Sequence, residues 1–262
     1  MKKRSLTNHS MADGPLLDTV TVNQNPTLYT QYPFSLKLIQ NVRRIEFPSQ
    51  VTFFVGENGT GKSTILEAIA HNAGFGPEGG SKNIQFKTSQ QHTYDPTLLL
   101  ANSLTLSWRQ KPKNGYFFRA ESFFNVANYI DDMAQYDYRA YAPYGDKSLH
   151  AQSHGESFLS FFTHRLGTDG FFIFDEPEAA LSPQRQLSLL VIIHEMCKNP
   201  NSQFIIATHS PLLLAYPRSV IYSCDGETLQ PIAYTDTDHY KITKGFLDNP
   251  DRYVQQLFAD GE

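Results

Sequence analysis

A mixed α/β fold, with a mainly parallel sheet covered by helices on both faces, is what this sequence predicts. Three observations carry the expectation. Apolar runs of strand length, VTFFV at Val51–Val55, FFIFD at Phe171–Asp175 and QFIIATH at Gln203–His209, lack the alternation of a half-solvated strand. Between them lie stretches with apolar residues at helical spacing, KSTILEAIAHNA and the segment from about Gln184 to Cys197. A glycine-rich turn joins the first apolar strand directly to a helix.

Taken in order, residues 1–30 are polar and without sustained periodicity, so the expectation is a flexible tail or an irregular edge strand, with a single domain over 31–262. FSLKLIQNV, from Phe34, alternates as a half-buried strand does. The helix opened by Lys62 ends at Gly74, and GFGPEGGSKN, Gly74–Asn83, is a loop. LTLSW and YFFRAESFF read as strands joined through the turn-like KPKNG. A helix follows over about Phe123–Met133, then a loop over Asp137–His154 rich in Tyr, Gly and Pro, then a helix from about Glu156 to Arg165. No coiled-coil heptads occupy the gap between Lys62 and Ser153, so long chromosome-maintenance arms have no place there.

Composition bounds the function. The 262 residues are 40% hydrophobic and 18% charged, an ordinary globular balance, and the net charge of −4 gives no electrostatic footprint for nucleic acid. Cys197 and Cys224 lack the clustered spacing of a zinc site or disulfide framework and read as reduced thiols. No apolar run approaches the roughly 20 residues that span a bilayer. The expectation is a cytoplasmic protein, with a membrane partner disfavoured.

GENGTGKS, Gly56–Ser63, matches the phosphate-loop pattern G-x-x-x-x-G-K-[ST] and stands where that chemistry needs it, between a buried strand and a helix. Backbone N–H groups of Asn58–Ser63 can wrap a phosphate at the positive end of the helix. The nucleotide-contact set is Gly56, Glu57, Asn58, Gly59, Thr60, Gly61, Lys62, Ser63 and Thr64, with Lys62 reaching the β and γ phosphates and the Ser63 hydroxyl binding Mg²⁺. FFIFDEPE delivers Asp175 to a strand end as the second Mg²⁺ residue and sets Glu176 next to it to orient or deprotonate the attacking water. ATP and Mg²⁺ are the cofactors this pairing calls for. His209 closes the strand QFIIATHSP, where a lone histidine is more often structural than catalytic.

In their order and spacing these motifs resemble the ABC-type P-loop ATPases. VTFFVGENGTGKSTILEAIA, GPEGGSKN, FFRAESFFNVA, SLHAQSHGESFL, DEPEAALSPQRQ and QFIIATHSPLLLAYP together look like a group of small stand-alone bacterial predicted ATPases near the soluble repair, chromosome and overcoming-lysogeny branch. The resemblance implies an ABC-type fold with an antiparallel β lobe and a helical signature subdomain over roughly 123–167. It gives His209 the switch-histidine role. It also implies a signature, typically LSGGQ, that binds the γ-phosphate held by the opposite subunit. QSHGES at Gln152–Ser157 lies a little over 20 residues before Asp175, with Ser153 in the signature serine's place and Gly155 as its second glycine; His154 and Glu156 depart from the usual Gly and Gln. A serine and free N–H groups at a helix start are an anion site, and equally a plain N-cap.

By the same resemblance Ala179–Ser182 is the D-loop, with Ser182 replacing its usual Asp. Arg119 falls where the Q-loop glutamine belongs, so Arg119, Glu121 and Ser122 are candidates to sense Mg²⁺ or γ-phosphate, or else an internal ion pair; Gln85, Gln90 and Gln91 are alternatives. Tyr32 stands at adenine-stacking distance upstream of the loop, where an ordinary packed tyrosine is the plainer reading. Lys82 and its glycine pair read as a surface turn that reaches nucleotide or partner at most.

The expected function is a stand-alone ATPase that forms a homodimer around two ATP molecules and, through Lys62, Glu176 and His209, hydrolyses them to switch a protein partner. Two alternatives are a transporter's nucleotide-binding subunit and an ATP-gated module for a separate nuclease, toxin or DNA partner. The roughly 50 residues after His209 are too few for an attached nuclease domain.

Overall fold

Strands without polar alternation must bury both faces, and the sheet of this protein does so. The computed structural model describes residues 14–77, 79–81, 96–121, 123–148, 161–163 and 166–259. In chain order the elements are β1 (Leu17–Val22), α1 (Lys37–Asn41), β2 (Arg44–Glu46), β3 (Val51–Val55), α2 (Lys62–Asn72), α3 (Pro96–Asn102), β4 (Leu104–Trp108), β5 (Gly115–Arg119), α4 (Phe123–Ala134), β6 (Gly170–Asp175), α5 (Pro183–Met196), β7 (Ser202–Ala207), α6 (Pro211–Leu214), β8 (Val220–Ser223), β9 (Gln230–Pro231), α7 (Asp238–Asp248) and α8 (Pro250–Ala259).

The main sheet has the order β5-β6-β7-β3-β8-β9, parallel except where β9 folds back on β8. Successive residues divide between two cores. Phe54, Phe117, Phe171, Ile173 and Ile205 point to one face, covered by α1, α2, α3 and a three-stranded antiparallel sheet of order β2-β1-β4. Phe53, Phe118, Phe172, Phe174 and Phe204 point to the other, covered by α4, α5 and α6. This two-sided burial is why the runs read as continuously apolar. Gln203, buried at the start of β7, donates to Leu17 O and accepts from Leu17 N–H, tying the antiparallel sheet to the parallel one.

The glycine that stops α2 does so for a geometric reason. Gly74 has φ +93° and gives its N–H to His71 O, while Phe75 gives its N–H to Ala70 O, the paired bonds of a Schellman cap.

Four expectations change. The segment read as a tail or irregular edge strand holds β1, which is the middle strand of the antiparallel sheet. FSLKLIQNV is not a strand: Phe34, Leu38, Ile39 and Val42 are its buried positions, one helical face with α1 at its centre. β4 and β5, read as strands joined through a turn, belong to different sheets, so KPKNG connects two layers. The expected loop over 137–154 carries a 3₁₀ helix at Tyr138–Tyr144. The helix expected over 156–165 falls largely outside the described residues. Where the chain is described again, Phe161 and Phe162 pack against Phe118, with Phe162 also on Phe174 and Phe161 on Phe123.

Candidate functional site

β3 ends at Val55 against β7 and β8, so the chain leaves the middle of the sheet at its carboxyl edge, where open α/β sheets bind ligands. Between there and α2 the backbone turns through left-handed conformations. Gly56 has φ +143° and a Cβ there would lie 2.8 Å from Asp225 Oδ1; Gly61 has φ +103° directly before Lys62 opens the helix. Only glycine enters both geometries without strain.

Lys62 is 4% exposed, and an ammonium buried that far needs acceptors. Its Nζ folds back over the loop and donates to Gly56 O at 2.6 Å and Glu57 O at 2.9 Å. Two of its three donors hold the loop's shape and one remains for a phosphate oxygen. The turn is braced twice more: Thr60 Oγ1 donates to Glu57 O, and Glu57 N–H donates to Asp225 Oδ1 at 2.6 Å. Asp225, just past β8, accepts from Ser223 Oγ on its other oxygen.

Ser63 Oγ donates to Asp175 Oδ1 at 3.0 Å, bringing together residues 112 positions apart in the chain. Asp175 ends β6 and is 6% exposed. Burial pushes its carboxyl up to about 6; the Ser63 hydrogen bond and the Arg119 charge act against that, and the Glu176 and Glu67 charges add to it. A hydroxyl and a desolvated carboxyl in contact beside a phosphate loop are a fit for Mg²⁺, because a divalent cation restores the ionised carboxylate that burial penalises. No group of three or more His, Cys, Asp or Glu that could hold a metal ion occurs among the described residues.

Beyond Asp175 the chain bends sharply. Glu176 is left-handed, φ +49° and ψ +53°, a conformation costing a non-glycine residue on the order of 1–3 kcal/mol, and its N–H is held by Ala207 O. The bend turns its side chain toward His209, whose Nε2 lies 3.5 Å from Glu176 Oε1. His209 is anchored from behind by Glu178, whose Oε1 accepts its backbone N–H at 2.6 Å. Burial lifts the Glu178 carboxyl above its ordinary range, opposed by that hydrogen bond. On its far side His209 Nδ1 meets His239 Nε2 at 3.0 Å.

Arg119, paired in register with Asp175, lines a cleft with Ser63, Ala120, Glu121, Asp175 and Glu176. Its guanidinium binds Glu67 at 2.7 Å, Glu121, and Pro77 O at 3.1 Å. The internal ion pair is therefore present, at the edge of the cleft. Tyr32 is 51% exposed and its hydroxyl shares a 2.8 Å hydrogen bond with Thr64 Oγ1, which sets the ring beside the phosphate loop. Gly79 and Gly80 do not form a surface turn: both are buried, and Gly80 exchanges two hydrogen bonds with Phe117 on β5. Ser182 is exposed at the N-cap of α5. Ser153, Gly155, His154, Glu156, Ser122, Lys82, Gln85, Gln90 and Gln91 lie outside the described residues.

Asp225, Glu178 and His239 escaped the motif reading. Asp225 sits in SCDG and reads as a turn residue, and His239 lies in a helix with no motif around it; Glu178 alone had a signal, as the third acid of DEPE.

The model of the family described as "AAA domain, putative AbiEii toxin, Type IV TA system" matches residues 76–215, more than half of the chain, including Asp175, Glu176 and His209. No curated protein matches. Among solved structures, the chain is similar to the SMC head domain from Thermotoga maritima, at 16% identity and TM-score 0.42 over 83% of this chain and 99% of that one. It is also similar to cbiO1 from Clostridium perfringens, part of the ABC transporter complex cbiONQ, at 16% identity and TM-score 0.46 over 93% and 99%. An ATP-binding cassette of an ABC transporter aligns at 16% identity and TM-score 0.47 over 82% and 89%.

Proposed function

The chain belongs to this AAA-domain family, and from that premise we propose that it is an ABC-type ATPase that binds Mg-ATP, closes on a second copy of itself around two nucleotides, and hydrolyses them to switch a protein partner. The observation that carries the reading is the Ser63–Asp175 contact at 3.0 Å beside Lys62, with Glu176 and His209 next to it.

In this reading the N–H groups of Asn58–Ser63 wrap the phosphates and the remaining Lys62 donor takes a β/γ oxygen. Tyr32, fixed by Thr64, offers its face to adenine. Ser63 and Asp175 hold Mg²⁺, which supplies charge neutralisation and alignment of the β and γ oxygens. Glu176 orients the attacking water and draws off its proton; His209 Nε2 stands over the γ-phosphate and reports its presence. Arg119 is placed to register the cleft's occupancy through its contact with Asp175's strand. Ser153 and Gly155 of the second copy complete the site, with Ser182 at the shared face. The partner in this reading is a protein: the net charge of −4 does not point to nucleic acid, and exposed Ile242, Leu247, Leu257 and Phe258 on the last two helices offer apolar surface for one.

Glu176→Gln tests this directly. The variant should bind ATP as the parent does, hydrolyse it at least about 100-fold more slowly, and accumulate as a dimer by sedimentation. An ATP-loaded variant that stays monomeric sinks the sandwich, and a parent protein without magnesium-dependent ATPase activity sinks the enzyme.

A further inference from the structure

We infer that His239 is a positioning residue that fixes the tautomer of His209, holding the proton of the neutral ring on Nε2, the nitrogen facing Glu176 and the nucleotide. The inference deepens the proposed function and rests on it for its kinetic consequence. Its structural content stands without hydrolysis.

A neutral imidazole has one N–H and one bare nitrogen, so a bond between two ring nitrogens requires one ring to donate and the other to accept. His209 Nδ1 and His239 Nε2 are 3.0 Å apart, with ring centroids at 5.2 Å and planes tilted by 52°. The two tautomers are thereby coupled, since the bond made at one ring nitrogen decides which nitrogen carries the proton.

Direction follows from the other end of His209. Its Nε2 is buried, has no hydrogen-bond partner among the described residues, and lies 3.5 Å from Glu176 Oε1. A bare nitrogen there would turn a lone pair toward a carboxylate and, in the working site, toward phosphate. A proton there gives both an N–H. The proton on Nε2 leaves Nδ1 as an acceptor, so His239 Nε2–H must be the donor.

His239 is suited to that task. Burial, and then the neighbouring His209, hold its pKa below the ordinary histidine range, with Lys62 acting the same way and Asp225 and Glu57 opposing. It is therefore neutral near pH 7 and carries a single N–H to give. Its position is set by rigid parts. Thr237, 1% exposed, caps α7 by accepting Tyr240 N–H and donates its hydroxyl to Tyr234 O. The Tyr234 hydroxyl in turn donates to Pro211 O, two residues from His209. The start of α7 is thus tied to the same turn that carries the ring it addresses.

The test reads the tautomer first and the kinetics second, on the full chain. Two-bond ¹H–¹⁵N spectra of histidine-labelled protein at about pH 8, with His209→Asn to assign the signals, should show His209 as the Nε2–H form. His239→Gln, whose amide can still donate, should keep that form; His239→Leu should give a mixture, and His239→Glu, an acceptor only, should drive it to Nδ1–H. In ATPase assays the Leu variant should lose about 10- to 100-fold in kcat with KM within about twofold, while the Gln variant stays within about threefold of the parent. A parent His209 in the Nδ1–H form, or a tautomer unchanged in the Leu or Glu variant, overturns the inference. Should the Leu variant fail to fold, the Glu variant's spectrum decides. Absence of ATPase in the parent overturns the proposed function and leaves the tautomer result standing.

Discussion

Asp175 is a carboxyl group at the end of an apolar strand, and burial raises it from 3.8 to about 6. Because the folded value exceeds the unfolded one, the native state favours the protonated form. The associated stability is fully present below about pH 4 and is lost as pH rises through about 6, a difference on the order of 3 kcal/mol by the pH 7 region. Two outcomes follow for the nucleotide-free protein. Asp175→Asn should melt several degrees higher than the parent at about pH 7.5, and the gap should close near pH 5, both read by calorimetry. The same variant should lose magnesium-dependent tightening of ATP binding. Lys62 makes the converse case. Lys62→Ala removes the charge-assisted phosphate contact proposed for it and also frees Gly56 O and Glu57 O from their donor, so titration calorimetry should show ATP affinity at least about 100-fold weaker.

At the scale of elements, the register of β5 on β6 puts Arg119 opposite Asp175, and Gly115 lets the two strands approach. A Cβ at Gly115 would lie 2.4 Å from Phe171 O and 2.8 Å from Phe75 Cζ. Gly115→Ala should therefore cost about 1–3 kcal/mol in chemical denaturation and, by pushing β5 outward, loosen the Arg119–Glu67 pair at the cleft. Elements built from one contiguous pattern were legible in the sequence. VTFFV, FFIFD and QFIIA gave strands because each is buried on both faces, and α2 gave a helix because its buried apolar residues Ile65, Leu66, Ala68 and Ile69 recur at helical spacing. FSLKLIQNV was not legible, because alternation over a few residues satisfies the strand and helix periods alike until Phe34, Leu38, Ile39 and Val42 are seen to share a face. That β1 is a middle strand rather than an edge was not legible, because its partners β2 and β4 lie tens of residues downstream.

For the whole molecule, ligand linkage supplies a check that does not depend on turnover. Mg-ATP at about 100 times its Kd should stabilise the folded chain by about 2.7 kcal/mol, and dimer closure in Glu176→Gln should add a dependence of the melting temperature on protein concentration. The sequence by itself determined the parallel sheet, the phosphate loop, and Asp175 and Glu176 at the end of an apolar strand, because those features are written in neighbouring residues. Tertiary structure decided the rest. It placed Asp225 on the Glu57 N–H, 168 positions away, Tyr32 on Thr64, and Arg119 on Glu67, and it set His239 against His209, 30 positions away. Local periodicity fixes which face of a strand or helix is buried. Which polar groups then meet across the layers is fixed only when the layers pack and each buried donor must find an acceptor.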